Sequence, residues 1–233
     1  MGGDEASGPG GGVAIVVADG DVPERDELDR AWPGWAVGAR FVVAADGGAR
    51  GAERLGLAID RIVGDGDSLG SDDLERLRRS GVPVELSPAE KDESDTELAM
   101  LAAIEMGATG IVVLGAFGGP RLDHTLANIG LLALPALGER PCVLLDGRTR
   151  VSLLRGPGAI TLVGRPGDLV SLLAVGASVD GVTTEGLRYP LRAEPLPVGP
   201  ARGLSNVRLG ASCEVAIEAG RLLIVESPAT LLQ

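Results

Sequence analysis

The sequence predicts an α/β fold: an N-terminal doubly wound, mostly parallel sheet with helices on both faces, followed by a smaller all-β sandwich. Three observations carry the prediction. Apolar runs such as residues 13–17 and 41–45 are continuous rather than alternating, which marks strands buried on both faces. Helical segments separate these runs through short turns, the pattern of a parallel sheet. Beyond about residue 147 the helical segments stop, and short β-branched or alternating runs broken by Gly and Pro take over.

Taken in order, residues 1–12 are Gly-rich and carry Asp4 and Glu5, so they read as a disordered lead-in. The α/β part spans 13–147. Its first strand, from Val13, ends in Asp19-Gly20, and a short helix falls around Glu24 to Arg30. The second strand starts at Phe41, ends in Asp46 and is followed by Gly47-Gly48 and a helix to Leu55. The third, Arg61 to Gly64, opens into Asp65-Gly66-Asp67-Ser68. A helix follows to Arg79, then a strand over 82–86. Ser94 and Glu97 form a capping box with Asp95 in the first helical turn. That helix runs to Glu105, a fifth strand covers 110–116, and a glycine loop, 117–121, leads into a helix over 122–134. A sixth strand covers 141–146. The β part, 148–233, contains runs at 149–154, 159–163, 169–175, 178–184, 214–219 and 222–226. Ala219-Gly220-Arg221 reads as a hairpin turn between the last two.

Composition narrows the function. The 233 residues are 45% hydrophobic but only 2% aromatic, so the core is built from aliphatic side chains. A net charge of −12 argues against a nucleic-acid surface. Lys91 is the only lysine and follows no glycine run, which excludes a Walker A loop, and no Gly-x-Gly-x-x-Gly is present. His124 is the only histidine, which excludes a multi-histidine zinc site. Cys142 and Cys213 lie far apart and read as reduced and buried, consistent with the cytoplasm. No apolar run has the length of a membrane span, and the start lacks the regions of a signal peptide.

Ligands of doubly wound sheets bind beyond the carboxyl ends of the strands. Asp19, Asp46, Asp65 and the glycines of 115–119 all fall at such ends, which implies a common crevice. Asp65 and Asp67 stand two residues apart on a Gly-rich turn, where they repel unless a cation or a shared proton lies between them. A hard cation such as Mg²⁺ prefers these oxygens and brings phosphate with it. Lys91 precedes a helix start and adds a point charge for phosphate. Asp95 there serves either the helix dipole or a metal. In Gly118-Gly119-Pro120-Arg121-Leu122-Asp123-His124, Arg121 can hold phosphate in bidentate fashion. His124 reads as a fixture of the site wall, and Asn128 as wall or ligand contact. Ser205 and Asn206 are turn residues by type, or they recognise the polar edge of a small heterocycle.

The segments Ala45-Asp46-Gly47-Gly48-Ala49, Gly64-Asp65-Gly66-Asp67-Ser68, Lys91-Asp92-Glu93-Ser94-Asp95, Gly118 to His124 and Gly203-Leu204-Ser205-Asn206 resemble, in the same order, the thiamine pyrophosphokinase family. The resemblance implies an α/β nucleotide-binding domain, a β-sandwich and a homodimer. It implies transfer of pyrophosphate from ATP to the hydroxyl of thiamine, giving thiamine diphosphate and AMP. It further implies Mg²⁺ at Asp65, Asp67 and Asp95 with Asp46 close by, and ATP phosphates on Lys91 and Arg121. Asp46, Gly47, Asp123 and His124 would complete the nucleotide site, and Ser205 and Asn206 would contact thiamine. Three alternatives stand beside this reading. One is a pyrophosphokinase for another heterocyclic alcohol such as a pterin. Another is an Asp-x-Asp phosphohydrolase with Asp65 as nucleophile and Asp67 as acid. The third is a non-catalytic binding protein.

Overall fold

The computed structural model describes residues 11–79, 81–88 and 90–229, so most of the expected lead-in, residues 1–10, lies outside the described residues. The chain divides into two compact units, residues 1–142 and 143–233. Among the described residues, no helix is long and apolar enough to cross a membrane.

In the first unit, strands β1 (Val13–Val17), β2 (Ala39–Ala45), β3 (Arg61–Gly64), β4 (Val84–Leu86) and β5 (Gly110–Leu114) alternate with helices α1 (Arg25–Ala31), α2 (Gly48–Arg54), α3 (Ser71–Arg79) and α4 (Asp95–Glu105). Helix α5 (Leu122–Gly130) follows β5. The strands are parallel and lie in the order β5-β1-β2-β3-β4. The chain therefore moves outward from β1 to β4 and then returns to place β5 on the other side of β1. The right-handed rule for crossovers between parallel strands implies that the outward helices cover one face and the returning α4 the other. Packing agrees with the continuous apolar strands: Ala14, Ile15, Val16 and Val17 are fully buried. Helix α4 buries Ala99, Met100 and Ala103 and packs on β1, β2 and β3. Ala44 and Ile62 pack with Ala49 of α2 and Leu77 of α3.

Helix α5 was expected to reach Leu134 but ends at Gly130, and two 3₁₀ turns follow, Leu131–Ala133 and Pro135–Leu137. Pro135 holds Leu134 in the extended region, where an α-helix cannot continue.

The second unit is a sandwich. One sheet contains β6 (Cys142–Leu145), β7 (Arg150–Arg155), β9 (Leu169–Ala174), β12 (Asn206–Val207) and β14 (Arg221–Ser227), in the order β6-β7-β14-β9-β12. The other contains β8 (Gly158–Val163), β10 (Val179–Glu185), β11 (Glu194–Leu196) and β13 (Ser212–Ile217), in the order β11-β10-β13-β8. The pairings within both sheets are antiparallel. Leu154, Val170, Leu172, Leu222 and Ile224 of the first sheet form one core with Leu162, Val179, Val182, Val215 and Ile217 of the second. Buried Arg208 donates to Glu226 Oε2 at 2.6 Å and to the Leu162 carbonyl, and Arg150 donates to Glu226 Oε1 at 2.7 Å.

The hairpin expected at residues 219–221 is absent. β13 pairs with β10 and β8, while β14 pairs with β7 and β9, so the turn carries the chain from one sheet to the other. The alternation within β13 places Cys213, Val215 and Ile217 on the core, whereas β14 buries three residues in succession, Leu222 to Ile224. A turn glycine between two apolar runs carries no information about which sheet each run joins.

Candidate active site

The switch in strand order falls between β1 and β5, and open α/β sheets bind ligands at such a point. A cavity of about 610 Å³ lies there, within the first unit. Its wall includes Asp19 and Gly20 after β1, Asp46 after β2, and Asp65 after β3. Lys91 and Asp95 at the start of α4, Gly118 to Arg121 after β5, and His124 and Asn128 of α5 complete it. The strand-end aspartates and the glycine loop thus meet in one crevice.

Asp46, Asp65 and Asp95 each present an oxygen, and these oxygens lie within 4.8 Å of one another. Asp46 is buried in a left-handed backbone conformation, φ 43°. Its Oδ2 accepts the Ser68 N–H at 2.9 Å, while its Oδ1 is buried without a hydrogen-bond partner among the described residues. Gly64, with φ 149°, permits this approach, since a Cβ there would lie 2.9 Å from Asp46 Cβ. Asp65 Oδ1 accepts the Asp67 N–H at 3.0 Å, an Asx turn. The Asp67 side chain is exposed and outside the three-carboxylate group. Arg50, which the sequence reading did not single out, donates to the Ser68 carbonyl at 3.0 Å. The Asp65–Ser68 turn is therefore pinned through both polar groups of the Ser68 backbone.

Lys91 Nζ lies 2.7 Å from Asp95 Oδ1, with the lysine side chain 12% exposed. Ser94 caps α4 by accepting the Glu97 N–H at 3.2 Å, as the capping box predicts. Arg121 and Asp123 form a two-pronged ion pair, Nε to Oδ1 at 3.1 Å and Nη2 to Oδ2 at 2.5 Å. The Arg121 hydrogen bonds hold the Asp123 carboxyl at a pKa of about 2, below the usual carboxylate range. Among the described residues, Gly47, Asp67 and Asp123 do not line the cavity. Gly47 backs Asp19: a Cβ on it would lie 2.1 Å from Asp19 Oδ1.

The loop after β5 is stitched to the loop after β1. Gly20 N–H donates to Gly115 O at 3.0 Å, Asp21 N–H to Phe117 O at 2.9 Å, and Gly119 N–H to Asp21 Oδ2 at 3.3 Å. Asn128 Nδ2 donates to Ala116 O at 2.9 Å, so this residue is a pin in the wall. Asp21 was missed by sequence reading, because a lone aspartate after Asp-Gly carries no signal of a partner 98 residues away.

Ser205 and Asn206 lie in the second unit. Ser205 has φ 55°, and its N–H donates to Ser171 Oγ at 3.0 Å. Asn206 is buried. Its Oδ1 accepts the N–H groups of Tyr189 and Val207, both at 2.9 Å, and its Nδ2 donates to Tyr189 O at 2.7 Å. Most of its amide capacity is therefore spent inside the protein.

Residues 35–143 match the family model for the catalytic domain of thiamin pyrophosphokinase, and residues 160–224 match that for its vitamin B1 binding domain. The chain belongs to the thiamin pyrophosphokinase family. A thiamine pyrophosphokinase of Bacillus subtilis is 26% identical over 165 residues, 70% of this chain and 76% of its own. The solved thiamin pyrophosphokinase of Geobacillus thermodenitrificans is 27% identical, with a TM-score of 0.77 over 92% of this chain and 97% of that one. The solved Bacillus subtilis enzyme superposes with a TM-score of 0.80 at 22% identity, over 93% of this chain and 99% of that one. The α/β unit and the sandwich are thus the catalytic and vitamin-binding halves of a thiamin pyrophosphokinase, in the order expected from sequence.

Proposed function

We propose that the crevice at the β1–β5 switch holds the polyphosphate of ATP and a divalent cation, and that the chain works there as a thiamine diphosphokinase. The thiamine hydroxyl oxygen attacks the β-phosphorus of ATP. The bond from that phosphorus to the α–β bridging oxygen breaks, AMP leaves with the bridging oxygen, and the hydroxyl proton is lost. The observation that carries the reading is the convergence of Asp46, Asp65 and Asp95 oxygens within 4.8 Å, with one buried Asp46 oxygen lacking a partner among the described residues. Three carboxylates so placed repel one another unless a cation offsets them, and an all-oxygen donor set suits Mg²⁺.

Asp46, Asp65 and Asp95 would hold Mg²⁺, which when bound would supply charge neutralisation for the polyphosphate. Asp67, next to the cluster on the same turn, is a fourth candidate ligand from the family resemblance. Lys91 gives the cavity a fixed positive charge beside Asp95, and Arg121, oriented by Asp123, gives a second at the opposite loop. Together they offset an acidic protein's own field against an anionic substrate. Backbone groups of the glycine loop approach the substrate closely, and His124 lines the wall. Alignment of hydroxyl and phosphorus is then the main task left to the chain.

A homodimer belongs to the same reading. Its support is α5, which buries Asn128 and leaves Leu122 and Leu126 exposed next to Arg121 and His124. Cys142 and Cys213 are buried and form no disulfide, which fits a reducing compartment such as the cytoplasm. The deciding experiment incubates the purified chain with ATP, Mg²⁺ and thiamine. AMP and thiamine diphosphate are expected in equal amounts. Free phosphate without AMP, or AMP only with a different heterocyclic alcohol, would overturn the reading.

A further inference from the structure

We infer that Arg50 is a positioning residue for the metal turn: from α2 it fixes the Asp65–Ser68 segment, and so sets how tightly the three carboxylates hold a divalent cation. The inference rests on the metal reading proposed above. Asp65 lies between Gly64 and Gly66, with φ 149° and 82°. Glycine leaves the backbone freer than any other residue, so its neighbours do not fix where Asp65 points. Its oxygen nevertheless lies within 4.8 Å of those of Asp46 and Asp95. The Asp67 N–H bonded to Asp65 Oδ1 shapes the turn internally but ties it to nothing else. Gly64 is held in β3 and Leu69 in the core, and between them the outside ties come at Ser68. Its N–H donates to Asp46 Oδ2 at 2.9 Å, and its carbonyl accepts from Arg50 Nη2 at 3.0 Å. One hydrogen bond alone would let the segment pivot, and the second removes the pivot.

Arg50 is itself oriented by a relay between two helices. Its Nη1 lies 3.5 Å from Asp73 Oδ2, and Arg76 Nη2 donates to Asp73 Oδ1 at 3.1 Å. Arg76 in turn grips Glu53 through both Nη atoms, at 2.6 and 3.0 Å. Arg50 and Glu53 are three residues apart on α2, and Asp73 and Arg76 three apart on α3. Charges therefore alternate along a relay that starts and ends on α2. The planar guanidinium suits its place, because its fork holds a carbonyl and a carboxylate at once. The Arg50 side chain is 46% exposed and does not line the cavity. Surface ion pairs of this kind contribute little to fold stability, so the consequence of the relay is the placement of the turn. Simple electrostatics predicts the opposite effect. Arg50 stands one hydrogen-bonded residue away from Asp46, and its charge opposes the binding of another cation there. Loss of the charge alone would tighten metal binding, whereas loss of positioning loosens it. The sign of the change separates the two.

The test counts bound Mn²⁺, an oxygen-preferring stand-in for Mg²⁺, from the loss of the free-ion EPR signal as metal is added to the full chain without nucleotide. Arg50→Met should raise the dissociation constant about tenfold, the equivalent of one lost hydrogen bond. Arg50→Lys, which keeps the charge and one donor for the Ser68 carbonyl, should recover part of that loss. Arg79→Met removes an α3 arginine paired with Glu75 and should leave binding unchanged, as the control for surface charge. In steady state, the Mg²⁺ concentration giving half the maximal rate should rise with the Mn²⁺ constant in Arg50→Met, while kcat at saturating Mg²⁺ and the thiamine KM stay within about twofold of wild type. Equal or tighter Mn²⁺ binding in Arg50→Met overturns the inference, as does a fall in kcat that excess Mg²⁺ does not restore. Loss of cooperative melting in metal-free Arg50→Met would show a role in the fold instead, and overturns it too. Wild type that binds Mn²⁺ no better than Arg50→Met sinks the role of Arg50 alone, whereas wild type that binds no Mn²⁺ sinks the metal reading beneath it.

Discussion

A carboxylate oxygen buried without a donor is costly unless a cation meets it, and among the described residues Asp46 Oδ1 is in that position beside Asp65 and Asp95. Asp46→Asn tests this in a way that activity alone does not. The substitution removes one negative charge from three that repel, so the metal-free protein should melt at the same temperature as wild type or higher. The rise in melting temperature that Mg²⁺ gives wild type should be lost, and turnover with it. A variant that still gains stability from Mg²⁺ would take Asp46 out of the metal site. Asp123 gives a prediction in pH. Its folded pKa is lowered to about 2 from 3.8 by Arg121, so its ion pair contributes above pH 3.8 and is lost as pH falls toward 2. A carboxyl titration followed by NMR should place its midpoint near 2, and the activity profile around neutrality should carry no step from it. A midpoint near 4 would show that Arg121 is not held where the structure has it.

Loops set by two elements at once decide the site's shape. Gly118 adopts φ 77°, and a Cβ on it would lie 2.0 Å from Asp21 Oδ2. Gly118→Ala would cost about 1–2 kcal/mol from backbone conformation alone and would push Asp21 off the loop. The expected outcome is a drop in kcat/KM for ATP on the order of tenfold, through misplacement of the residues that follow. The thiamine KM should be unmoved; a fall confined to thiamine would contradict it. The same elements show what the sequence can and cannot reveal. Continuous apolar runs followed by Asp or Gly are local patterns, so β1, β2 and β3 with their terminal aspartates, and β5 with its glycine loop, are legible. Which aspartates meet depends on strand order. Asp46 joins Asp65 because β2 lies next to β3, whereas Asp67, two residues on, faces solvent after one turn of backbone. The two short strands β11 and β12 have no apolar run to announce them. The Asn206–Tyr189 clamp and the Asp21–Gly119 contact join residues 17 and 98 positions apart, and no local pattern encodes them.

At the scale of the molecule, α5 is the helix least explained by a single chain. Asn128 is its one fully buried side chain among the described residues, while Leu122 and Leu126, one turn apart, are 71% and 60% exposed. Amphipathic helices ordinarily do the reverse, and adjacent exposed leucines mark a surface that another molecule covers. In the proposed homodimer that molecule is a second copy, and its position beside Arg121 and His124 would tie assembly to the site. Leu126→Asp places a charge on this surface without touching the buried side of the helix. It should convert a dimer to a monomer in size-exclusion chromatography with light scattering, while circular dichroism and melting of the monomer remain cooperative. Since Leu126 lies five residues from Arg121, activity should fall with dissociation and recover in part at high protein concentration, as mass action requires. A wild-type chain that is monomeric at all concentrations and fully active would remove the dimer from the proposal and leave the exposed leucines to some other partner.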